Sequence, residues 1–134
     1  MSASVSGMIS LACQGSVAAV LERLERGIRA RGMTIFAVID HAAAATAAGL
    51  ALRPTTLVIF GNPSAGTHLM QDTQEIGLDL PLRALLWTDA QEQTWLGYTD
   101  PTWLAQRYGL RSIDTIVAAM SKALRDLAEE SARG

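Results

Sequence analysis

Phe60-Gly61-Asn62-Pro63-Ser64-Ala65-Gly66-Thr67-His68-Leu69-Met70 is the stretch on which a reading of this chain turns. It follows Thr55 to Phe60, a run of β-branched and apolar residues that predicts a strand, and it opens a helix. Asn62 suits the N-cap and Pro63 the first helical position. The G-x-x-x-x-G spacing imitates a phosphate-binding loop. A working loop next supplies a lysine to the phosphates and a Ser or Thr to the metal. Thr67 and His68 stand in those places, and Pro63 removes one backbone N–H from the cradle. Nucleotide hydrolysis therefore loses its main cation. Two readings remain: a helix N-terminus that receives a small anion, and a tight strand-to-helix turn with no further role.

Working outward, Ser4 to Ala12 predicts a first strand carrying Val5, Met8, Ile9 and Leu11. Ser16 then caps a helix whose Val17, Val20, Leu21, Leu24 and Ile28 recur at helical spacing, closed by Gly32. Met33 to Ile39 reads as a strand, and Asp40 as the cap of an alanine-rich helix from His41 to Ala48. On the other side, Gly77 to Pro81 is a turn-rich connector. Leu82 to Thr88 and Thr94 to Tyr98 form a hairpin. Asp100-Pro101 repeats the cap-then-proline device before a short helix ending at Tyr108. From Ser112 a last helix places Ile113, Ile116, Val117, Met120, Leu124 and Leu127 on one face. The order β-α-β-(α)-β-(α)-β-β-α-α predicts one α+β domain over residues 1–134, with a mixed, mostly antiparallel sheet and helices packed on one face.

Composition narrows the function classes. The 134 residues are 49% hydrophobic and 18% charged, with a formal net charge of −2, and the basic residues are scattered. No concentrated positive face is available for phosphate neutralisation, so nucleic acid is not an expected partner. Cys13 is alone, which leaves no intrachain disulfide and no cysteine-based zinc site. No Lys or Arg precedes Arg23, and no stretch reaches the roughly 20 apolar residues of a membrane span. The expectation is a cytoplasmic domain without membrane contact.

Chemistry-bearing residues are few. Asp40-His41 could set a carboxylate beside a base, although neighbours on a strand point to opposite faces; a capping Asp followed by a first-turn His is the plainer account. His41, His68, Met70 and Cys13 are the imidazole and sulfur inventory, without the H-x-x-x-H or C-x-x-C spacing of a metal site. His68 and Met70, two apart on a helix, do not face each other, so His41, His68 and Met70 reach one metal or haem only by tertiary convergence or across a dimer. Asp79 lies between leucines, with Arg83 its nearest cation. Ser64 lacks the G-x-S-x-G context of a nucleophile. Trp87, Trp95 and Trp103 read as hairpin and core packing.

These residues together resemble the bacterial and archaeal family called domain of unknown function 302. The likeness rests on Asp40-His41 with Gly49, Pro54-Thr55, Phe60-Gly61-Asn62-Pro63, Gly66-Thr67, Leu69-Met70, Gly77 to Leu82, and Pro101, Leu104-Ala105 and Arg107. It implies an α+β layer similar to the TATA-binding-protein-like class (β-α-β-β-β-β-α), a homodimer, and no named reaction. Two departures stand out. The turn Ala90-Gln91-Glu92-Gln93 lacks a glycine, and Tyr108 occupies a place where members often carry histidine.

The first expectation is a small-ligand-binding or sensor domain, its pocket near Asp40, His41, Asn62 and Asp79, with Thr67, His68 and Met70 also candidate contacts. The alternatives are an enzyme with His41 or His68 as general base beside Asp40 or Asp79, a metal- or haem-binding homodimer, and a module that only dimerises. The sequence identifies no cofactor.

Overall fold

A computed structural model describes residues 5–111 and 114–134. Ser4, Ser112 and Ile113, which the sequence reading assigned to the first strand and the last helix, lie outside the described residues. The elements run β1 (Met8–Cys13), α1 (Val17–Ala30), β2 (Thr34–Asp40), α2 (His41–Ala47), β3 (Thr55–Gly61), α3 (Pro63–Asp72), a 3-10 helix (Gln74–Asp79), β4 (Leu82–Thr88), β5 (Thr94–Thr99), α4 (Pro101–Tyr108) and α5 (Asp114–Ala132).

Local chemistry accounts for the helix starts. The side chains of Ser16, Asp40, Asn62 and Asp100 each accept backbone N–H bonds from the first turn that follows, satisfying donors that have no partner within the helix. The turn-rich connector is more regular than its sequence suggests. Most of it is the 3-10 helix, which ends at a cis Leu80–Pro81 bond.

The sheet order is β1-β5-β4-β3-β2, and each pairing is antiparallel. The expected α+β fold with a mostly antiparallel sheet is what the structure has, and the sheet is antiparallel throughout among the described residues: consecutive strands β3-β4-β5 meander and β1 returns beside β5. Trp87 sits opposite Trp95 in the hairpin. In its turn Glu92 takes φ 64°, a left-handed conformation that glycine occupies without steric cost, so the missing glycine is replaced by a strained residue.

One sheet face carries the core. Val58 and Phe60 of β3, Ala84 and Leu86 of β4, and Leu96 and Tyr98 of β5 are buried against Val20, Leu24 and Ile28 of α1 and Leu124 and Leu127 of α5. Each large aliphatic side chain buried there contributes about 1.5–3 kcal/mol. Gly27 lets α1 approach α5: a Cβ added there would lie 2.7 Å from Leu127 Cδ1. A second cluster of Leu69, Ile76, Leu104 and Val117 ties α3, the 3-10 helix and α4 to α5. This satellite core joins the second half of α3, through Leu69, to the first turns of α5, through Val117.

Candidate functional site

Between those two elements lies a cleft of about 870 Å³, within the range of small-molecule sites. Gly61 and the first turns of α3 form one wall, and Met120, Ala123 and Leu124 of α5 form the other. Leu80, Pro81 and Leu82 close the floor beside Met33. Three thioethers, Met33, Met70 and Met120, line it; such side chains are flexible and polarisable and adapt to irregular ligand shapes.

The polar groups are few and mostly engaged. Arg31 Nη1 is 2.8 Å from Glu130 Oε2, and Lys122 Nζ is 2.7 Å from Asp126 Oδ2. The hydrogen bond from Lys122 is the main cause that holds the Asp126 carboxyl below its ordinary value. Arg31, Lys122, Asp126 and His68 border the cleft without a buried, uncompensated charge among them.

The start of α3 is closed to anions. Pro63 has no N–H, Asn62 Oδ1 accepts from Ser64 N at 2.9 Å and Ala65 N at 3.3 Å, and Gly66 N donates to the Asn62 carbonyl. The Thr67 hydroxyl is likewise spent, donating to the Pro63 carbonyl at 2.7 Å. The helix end therefore offers no free first-turn donor to a small anion, and that reading of the loop is withdrawn.

Of the seven candidate residues, Asn62, Thr67, His68 and Met70 all border the cleft. His68 and Met70 reach it although they are two apart, because the cleft wraps the flank of α3. Asp40 and His41 are elsewhere. Asp40 pairs with Thr56 while Thr34 pairs with Gly61, so the register sets Asp40 six residues, about 20 Å, along the strand from the Asn62 end. A single pocket shared by Asp40-His41 and Asn62 does not form. Asp40 Oδ1 instead accepts from Ala43 N at 2.9 Å, and α2 has no buried residue.

Asp79 also turns away. Gly77 and Leu80 line the cleft, whereas the Asp79 carboxylate accepts from Arg107 Nη1 at 2.7 Å and from the Tyr108 hydroxyl. Its cation is Arg107 of α4, not Arg83, which is exposed on β4. The Asp79 hydrogen bond raises the Tyr108 phenol above its ordinary value. The Arg107 guanidinium stacks at 5.6 Å from the Trp103 ring centre and 5.3 Å from that of Tyr108. Among the described residues no hydrogen bond or salt bridge joins either imidazole to a carboxylate. Nor do three or more His, Cys, Asp or Glu residues gather as a metal site there. With His41 at the far end of β2, His41, His68 and Met70 do not converge within one chain.

Sequence reasoning missed Arg31, Met33, Met120, Lys122 and Asp126. The apolar stripe of the last helix named Met120, but only as core.

This architecture, a five-stranded antiparallel sheet backed on one face by two long helices, defines the class as an α+β sandwich of sheet and helices. Within that class the chain belongs to the family described as domain of unknown function DUF302, whose pattern matches residues 9–127. The crystal structure of an uncharacterised conserved DUF302 protein from Bacillus stearothermophilus superimposes with a TM-score of 0.84 at 17% identity, covering 95% of this chain and 99% of that one. Among named relatives, the chain is 49% identical over 116 residues to "Fluoride-specific ion channel FluC 1" of Brucella suis biovar 1 (strain 1330), a match spanning 86% of this chain and 46% of that protein. The same identity holds to "Fluoride-specific ion channel FluC 1" of Brucella abortus biovar 1 (strain 9-941), with 43% of that protein covered. The chain thus spans less than half the length of these relatives.

Proposed function

We propose that this chain is a small-ligand-binding or sensor domain that holds a largely apolar ligand in the cleft between α3 and α5. The observation that carries the reading is the cleft itself: about 870 Å³, walled by aliphatic and thioether side chains, with Asn62, His68 and two paired cations near its borders. Apolar lining with a few orienting polar groups is the usual make-up of a small-molecule site. The spent donors of α3 argue against a small inorganic anion, fluoride included, as the occupant.

The ion-channel names of the relatives fit this reading when the matched segment is treated as an accessory domain. No helix among the described residues is long and apolar enough to cross a membrane, so we assign conduction in those proteins to the portion outside the match. A cytoplasmic placement is part of the same proposal. Enzymatic turnover through His68 finds less support, because Asp79, its expected orienting partner, is committed to Arg107 and Tyr108.

The test is titration with 1-anilinonaphthalene-8-sulfonate, an apolar aromatic probe with one anionic group, followed by thermal shift against amphipathic acids, amines and nucleotides. The probe is expected to bind saturably, and Ala123→Trp, which fills the cleft from α5, to weaken it about tenfold, the effect of losing about 1.4 kcal/mol. Absence of saturable binding by the probe and the whole panel, or binding that ignores Ala123→Trp, would contradict the proposal.

A further inference from the structure

The two edges of the sheet are finished differently. At β1, α5 packs alongside, Gln14 N donates to the Ala132 carbonyl at 2.8 Å, and Gln93 Nε2 donates to the Cys13 carbonyl at 3.0 Å. β2 stands at the other edge and pairs with β3 alone. Among the described residues no further backbone hydrogen bond reaches residues 34–39. Every second residue of that run therefore directs an N–H and a C=O away from the sheet.

Bare edges are ordinarily protected by charge, by proline or by being short. Thr34-Ile35-Phe36-Ala37-Val38-Ile39 carries neither charge nor proline, and at seven residues β2 is as long as β3 or β4. Phe36 is 51% exposed and Val38 43%. A register shift lies between Ile35 and Ala37; such bulges re-aim a side chain, and Phe36 lines the cleft. Past it, Ala37, Val38 and Ile39 pair in unbroken register with Ile59, Val58 and Leu57. Alternation sets Val38 on the helical face with buried Val58, and Ala37 and Ile39 on the open sheet face, the one turned away from α1 and α5. That row of groups selects its partner. Donors and acceptors repeating every second residue are matched by the backbone of another extended chain, and not by an ion or a compact metabolite. With no charge to pair with among residues 34–39, the segment that fits carries apolar or β-branched side chains.

We propose that the outer edge of β2 is a docking site for an extended, uncharged segment of another polypeptide, which adds to the sheet as a further strand beside residues 37–39. The site is separate from the cleft, whose lining includes Phe36 but none of residues 37–39.

NMR titration of the isotope-labelled full chain tests it, with an end-capped hexapeptide of alternating valine and threonine as the probe. The peptide is expected to bind saturably and to slow hydrogen exchange at alternate amides of β2. The same peptide N-methylated at every amide keeps its side chains but loses its donors, and is expected not to bind. Val38→Lys supplies the charge that edge strands ordinarily carry, at an exposed position, and is expected to weaken the peptide about tenfold or more. Ile39→Lys, on the other face of the same strand, is expected to act alike, and circular dichroism verifies that each variant is folded. No saturable binding, equal binding of the N-methylated peptide, or binding that ignores both lysine variants would each overturn the proposal. So would a wild-type dimer that either lysine dissociates, because the edge would then belong to a second copy.

Discussion

Asn62 shows how one side chain both builds and restricts the site. Its side-chain Oδ1 accepts from the Ser64 and Ala65 amides that follow Pro63, which fixes α3 and closes its end to anions. Asn62→Ala is expected to cost about 1 kcal/mol, lowering Tm by a few degrees, while Asn62→Asp retains the cap; differential scanning calorimetry of the three proteins checks this. Tyr108 makes a second residue-level case. Its phenol is raised above the ordinary value chiefly by the hydrogen bond to Asp79. A raised folded-state value means that the protonated phenol stabilises the fold below about pH 10, with the contribution lost as pH rises through the folded value. The stability gap between wild type and Tyr108→Phe should therefore narrow between neutral and strongly alkaline pH, as urea denaturation at stepped pH would show. A constant gap would mean that the hydrogen bond is not the source.

At the scale of elements, the α1–α5 contact is set by Gly27. Its missing Cβ leaves room for Leu127 Cδ1, and Glu130 Oε2 would lie 2.9 Å from an added one. Gly27→Ala improves helix propensity by about 1 kcal/mol yet overpacks the crossing at a cost of about 1–3 kcal/mol, so a net loss of up to about 2 kcal/mol is expected, read from the urea midpoint; a stabilised variant would show that α1 can shift freely. The helix starts were legible in the sequence because capping is a contact over two or three residues, so Ser16, Asp40, Asn62 and Asp100 announce themselves. The hairpin was legible from period-two alternation and a polar turn. Strand register was not. Nothing near Asp40 or Asn62 in the sequence reveals that β2 and β3 run antiparallel over their full length and carry the two residues to opposite ends. Arg83 is closer to Asp79 in sequence than Arg107, but β4 places Arg83 on the open sheet face while α4 brings Arg107 across 28 residues to the carboxylate.

At the scale of the molecule, the satellite core of Leu69, Ile76, Leu104 and Val117 ties α3 to α5 by way of the 3-10 helix and α4, and the cleft is lined from both helices. Its walls come from residues 31–36, 61–82 and 116–126, segments whose proximity no local pattern encodes. The sequence supplied half of the site, the Asn62 to Met70 wall, and the opposite wall on α5 read only as an amphipathic helix. The family pattern and the solved relative settle the fold; the proposed function rests on the cleft.

Methyl NMR on protein labelled at methionine during titration with the anilinonaphthalene probe tests that claim most directly. Of the five methionines, Met33, Met70 and Met120 line the cleft, whereas Met8 lies on the open sheet face. Saturable shifts at Met33, Met70 and Met120 with Met8 unmoved are the predicted result. Shifts confined to Met8, or none at saturating probe, would contradict a ligand site between α3 and α5.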